Sequence, residues 1–104
     1  MNNFKIRIEP EAFKDIQRIA EWYENQQEGL GERFVDVVIQ DIDSLLPNPF
    51  IYAIRYNSIR CLIVHNFPYM VHYYINQQSN TIVILAVIGT SQSRDIWKEK
   101  SSNR

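Results

Sequence analysis

The chain has 104 residues, a formal net charge of −1 at neutral pH and one cysteine. That length fits a single domain over residues 1–104, no run approaches the roughly 20 apolar residues of a membrane span, and a lone thiol excludes an internal disulfide framework. Charge is divided unevenly, with five Lys/Arg against ten Asp/Glu in residues 1–50 and six against two in residues 51–104, so the first half repels nucleic acid and the second mildly attracts it. Phe4, Ile6 and Ile8 alternate with Lys5, Arg7 and Glu9, which predicts a half-buried strand. Pro10 stops it and suits the first turn of a helix. Ala12, Phe13, Ile16, Ile19, Ala20 and Tyr23 then recur at three and four residues, predicting an amphipathic helix over about 10–26. Trp22 falls on its flank, off the stripe. Phe34, Val35, Val38, Ile42 and Leu45 predict a second helix over about 30–46, ending before Pro47-Asn48-Pro49. The two make an antiparallel helical hairpin.

After Pro49 the period becomes strand-like. Ile51 to Arg55 reads as a short edge strand. Residues 59–65 and 69–76 read as a hairpin around Asn66-Phe67-Pro68-Tyr69, because Pro68 has no N–H to give a central ladder. Thr81 to Ile88 is almost unbroken apolar sequence, so it belongs in the sheet interior, covered on both faces. Ser93 is a candidate cap for a short final helix through Asp95, Trp97 and Lys98, and Ser101 to Arg104 reads as a frayed polar tail. The expected fold is α+β: an N-terminal strand, a helical hairpin packed on one face of a twisted, mainly antiparallel sheet, and a short C-terminal helix.

Three groups of residues carry candidate chemistry. Arg60, Tyr69 and Tyr73 come first: the tyrosines are four apart on one strand and share a face, while Arg matches phosphate and carboxylate geometry. Packing rings and a solvated edge charge are the competing reading. His65 and His72 flank the hairpin turn; His72 is a candidate base, but strand alternation puts it opposite Tyr69 and Tyr73. A metal site needs a third ligand, and no Asp or Glu lies between residues 44 and 94, so no metal or cofactor is expected. Arg94, Trp97 and Lys98 form the third group, with Trp97 either sealing the core or offering a stacking platform. Trp22, Arg60, Arg94 and Trp97 are the candidate contacts for a partner or target. Cys61, in an apolar strand, reads as an inert buried thiol.

Arg60, then Phe67-Pro68-Tyr69 and Tyr73, then the strand Ile84-Leu85-Ala86-Val87-Ile88 and Trp97 resemble the RelE/ParE superfamily of small bacterial toxins, the plasmid-stabilisation type of type II toxin–antitoxin systems. The likeness runs from the first strand to Trp97. It implies the toxin of such a pair, cytoplasmic and neutralised by a cognate antitoxin. Family members commonly carry a His, then an Arg three residues later, before the terminal Trp. Here those positions are Gly89 and Gln92. Neither can move the 2′-hydroxyl proton or offset phosphate charge as RNA cleavage requires. The resemblance therefore points to the ParE-like branch, which acts by binding a target such as DNA gyrase. The alternatives are a ribosome-dependent mRNA endoribonuclease of RelE type, using Arg60, Tyr69, His72, Tyr73 or Arg94 in unorthodox roles, and a non-toxic interaction module of the same descent. A homodimer is a further expected partner state; a membrane is not.

Overall fold

A computed structural model describes residues 3–102. The chain runs β1 (Lys5–Ile8), α1 (Pro10–Gln26), α2 (Leu30–Asp43), β2 (Ile54–Tyr56), β3 (Ile59–Ile63), β4 (Tyr69–Asn76), β5 (Thr81–Gly89) and α3 (Thr90–Ser102). The five strands form one sheet in the order β1-β5-β4-β3-β2. Only β1 and β5 are parallel; the other neighbours are antiparallel. This is the expected α+β architecture, with the helical hairpin on one face.

Local chemistry sets the element ends. Pro10 opens α1, where its missing N–H is no loss. Gly29 takes φ 87° between the helices, a left-handed conformation that costs glycine little. The Glu24 carboxylate accepts from the Gly29 and Gly31 N–H groups at 2.9 and 3.0 Å, placing negative charge at the start of α2. Gly31 also lets the helices cross closely: a β-carbon there would lie 2.4 Å from Ala20 O. Asn57 and Ser58 both have positive φ, the backbone of a tight two-residue hairpin turn joining β2 to β3.

The core lies between the helical hairpin and the sheet. Phe34, Val38 and Ile42 from α2 and Ile16 and Ile19 from α1 meet Leu62, Val71, Tyr73, Ile82 and Ile84. Val71 and Tyr73 are fully buried, with Tyr69 and Ile75 packed beside them on the same face. The opposite face of β4 carries Met70 and His72, both buried as well. Their cover is α3, which begins at Thr90 instead of being capped by Ser93 and runs to Ser102. It is longer than the sequence suggests and adds a local third layer. The expected polar tail is therefore helical as far as Ser102, and Asn103 and Arg104 lie outside the described residues. Other boundaries differ modestly. The second helix stops at Asp43, and the edge strand is 54–56 because residues 47–53 form a loop.

One irregularity matters for the site. Tyr73 pairs with Ile84 but His72 pairs with Ala86, so Leu85 is an extra residue in β5. Such a bulge shifts the side-chain phase by one. Ile82 and Ile84 face the helices below it, and Val87 faces them above it.

Candidate functional site

The bulge and the end of β1 create a cleft. β1 pairs with β5 only as far as Ile8 opposite Ile84, so residues 85–89 have no strand neighbour on that side. The flank of α1 stands over the gap. Asp15 Oδ2 accepts from the Val87 N–H at 2.9 Å, doing for the strand what an absent ladder partner would do. Its other oxygen accepts from Arg18 Nη1 at 3.2 Å. The resulting cleft holds about 540 Å³. Trp22, Ile19 and Tyr69 form its apolar walls, Val87 to Gly89 its floor, and Arg18 and Gln92 its polar mouth. Trp22 is 56% exposed and meets Tyr23 edge-on at 5.1 Å. Tyr69 is half-buried, braced by Phe34 and Tyr23 at ring distances of 5.7 and 6.3 Å.

Of the residues singled out in the sequence, the cleft gathers Trp22, Tyr69, Gly89 and Gln92. Asp15, Arg18 and Ile19 went unnoticed as site residues. Their signal was spacing: 15, 18 and 22 lie on one flank of a helix. Arg60 and Tyr73 are elsewhere, at the loop before β2. Arg60 Nη1 donates to Tyr52 O at 2.5 Å and Phe50 O at 3.3 Å, and its guanidinium lies 5.3 Å from the Phe50 ring centre. The Tyr73 hydroxyl donates to Pro49 O at 2.8 Å. Burial pushes that phenol up to about 12, with nearby Arg60 opposing the shift, so Tyr73 stays protonated at neutral pH. These two side chains clamp the 49–52 loop. Arg60→Ala should lower stability by about 1–2 kcal/mol, since it strips donors from two carbonyls. A shift in the urea midpoint measures this; an unchanged midpoint refutes the clamp.

His72 lies on the other face of the sheet from Tyr69 and Tyr73. It is 1% exposed and held by Tyr56 and Ser93. Burial keeps its imidazole below the usual histidine value, against a weaker pull from Asp15. His65 belongs to the scaffold: its N–H and Nδ1 meet the two oxygens of buried Asp41 at 2.8 and 2.7 Å. Trp97 is half-buried on α3. Its Nε1–H donates to Cys61 Sγ at 3.3 Å, and the Arg55 guanidinium lies 4.6 Å over its ring. Cys61 is buried, and burial raises its thiol above the ordinary range despite the Trp97 hydrogen bond and the Arg55 charge. Arg94 is exposed on α3. Among the described residues no group of three His, Cys, Asp or Glu side chains is arranged to hold a metal ion. No described helix is long and apolar enough to cross a membrane.

Chemically, the cleft offers two aromatic rings, one engaged cation, an amide and an open length of strand. Those features suit docking of an aromatic or apolar side chain. The fold is of the RelE/ParE architecture. The ParE toxin model, for the type II toxin–antitoxin system parDE, matches residues 6–94, and the chain belongs to that family. It is the toxin of a type II system.

Solved structures agree on the fold. The chromosomal ParDE system from P. aeruginosa superposes with a TM-score of 0.69 at 15% identity, covering 86% of this chain and 98% of that one. The toxin–antitoxin complex RelBE2 from Mycobacterium tuberculosis gives 0.55 at 18% identity, over 84% and 98%. A free-state arginine mutant of the E. coli toxin RelE gives 0.58 at 12% identity, over 97% and 96%. A search of curated proteins returns no significant sequence match.

Proposed function

We propose that this toxin acts in the cytoplasm by binding its target rather than by cutting RNA, and that a cognate antitoxin neutralises it. DNA gyrase is the proposed target. The observation that carries the reading is the composition of the cleft. Gly89 and Gln92 stand where the resemblance implies the His and Arg of the ribonuclease branch, and neither side chain moves a proton near neutral pH. Asp15 is committed to Val87 and Arg18. Tyr69 offers the cleft an aromatic ring braced by Phe34 and Tyr23. His72 is buried behind the sheet, and Arg60 is spent on loop carbonyls. The rim of the cleft, with exposed Trp22, is the proposed antitoxin and target contact.

Two assays on purified, antitoxin-free protein test this. The expected result is inhibited DNA supercoiling with no codon-positioned mRNA cleavage on translating ribosomes. Robust cleavage abolished by Arg60→Ala or Arg94→Ala overturns the reading and favours the ribonuclease. Neither effect, with no growth arrest on expression, favours a non-toxic interaction module. Size-exclusion chromatography of the same sample reports whether the free toxin is a homodimer.

A further inference from the structure

His72 is the most deeply buried ionisable ring of the far face, and it is wired to the start of α3. Its Nδ1 lies 2.8 Å from the Tyr56 hydroxyl and its Nε2 2.8 Å from Ser93 Oγ. Ser93 in turn donates to Ile88 O at 3.4 Å. In the neutral ring one nitrogen donates and the other accepts, and each hydroxyl can take the complementary role, so both bonds are made. Three elements are joined by one neutral imidazole: β2 through Tyr56, β4 through His72 and α3 through Ser93.

A second proton makes the ring a cation. Both hydroxyl oxygens can still accept from it, but the charge would be buried where the ring is 1% exposed, and burial disfavours the charged form. The neighbours are specific. β2 brings Tyr56 and Arg55; β3 brings Cys61, directly paired with His72; β5 brings uncharged Ala86. On α3, Arg94 and Asp95 flank Ser93 but are exposed. The carboxylate that acts on the ring is Asp15 of α1, already bonded to Val87 and Arg18. Ser93 also adjoins Gln92, which lines the cleft. The first turn of α3 therefore touches the latch with one residue and the cleft with the next.

We propose that the Tyr56–His72–Ser93 chain is an acid-released latch: protonating His72 frees the first turn of α3 and with it the Gln92 wall of the cleft. The sign follows from linkage. With α3 lifted, the ring meets water and binds a proton near pH 6.5; with α3 docked, burial depresses its proton affinity. Docking is at full strength above about pH 6.5 and weakens as pH falls below it. The opening constant rises by up to about tenfold per pH unit until the docked ring itself titrates.

Native-state hydrogen exchange between pH 5 and 8, corrected for intrinsic rates, reads this directly. Amides of α3 around Trp97 should keep constant protection above pH 7 and lose up to about tenfold per unit below pH 6. Val83 in β5 should hold its protection, because the opening is local. In His72→Gln the slope in α3 should vanish. A flat wild-type profile, a slope that survives in His72→Gln, or loss at Val83 in step with α3 each overturns the latch. Should His72→Gln fail to fold, the ring titration of wild-type His72 by NMR decides: a midpoint below 6.5 supports the latch, and one at or above 6.5 refutes it.

Discussion

Phe34→Ala should be among the most destabilising single substitutions in this toxin, at about 4 kcal/mol. Phe34 is fully buried, and its ring meets Tyr23 at 5.5 Å, Phe67 at 5.1 Å and Tyr69 at 5.7 Å. Truncation removes the transfer energy of the ring and leaves a hole beneath the β3–β4 turn. Rigid neighbours, Phe67 in the turn and Tyr23 on α1, fill such a hole poorly. For a domain of this size the melting temperature should fall by roughly 15–30 °C, measurable by circular dichroism. Phe13→Ala is the control. Phe13 sits on the same helical hairpin but is half exposed, and its loss should stay within about 1 kcal/mol. Equal effects at the two positions would refute this picture of the core. Tyr69 leans on Phe34, so the cleft should loosen along with the fold.

Trp22→Ala should do the reverse, sparing stability and removing binding. The Trp22 ring is mostly exposed and makes one edge-on contact with Tyr23, so unfolding should change by about 1 kcal/mol or less. An aromatic anchor at the centre of an interface contributes about 2 kcal/mol or more, close to a thirtyfold loss of affinity. Calorimetric titration of the variant with its purified antitoxin measures this beside the melting temperature. Unchanged affinity would remove Trp22 from the interface and with it the cleft rim as the antitoxin contact.

Much of this architecture was legible in the sequence, for clear physical reasons. The switch from helical to alternating period after Pro49 marks where helices give way to strands. Pro68 forces a turn, and the unbroken apolar run of β5 demands cover on both faces. What stayed hidden depends on contacts between distant residues. Strict alternation cannot reveal the extra residue at Leu85, because an all-apolar strand looks alike in either phase. Arg60 reads as an available cation until Tyr52 O and Phe50 O are seen within its reach. Ser93 reads as a helix cap, yet α3 begins three residues earlier and the hydroxyl meets His72. Asp15 looked like any solvated acid on a helix flank. Its partner, Val87 N–H, is 72 residues away in sequence. The cleft was half visible for the same reason: single residues announce themselves, and their assembly does not.

The parallel pairing of β1 with β5 also governs when the cleft can form. Lys5 lies against Thr81 and Ile8 against Ile84, so the first strand to leave the ribosome waits for almost the last. Such long-range pairing is slow because the intervening loop must close first. The cleft waits too, since Asp15 and Trp22 have no floor until residues 87–89 emerge and no mouth until Gln92 follows. A nascent chain that stops before β5 lacks the floor of the cleft. The proposed binding cleft thus forms only after β5 and the start of α3 have been made. A partner that captures the α1 flank during translation would meet the chain before the cleft is complete.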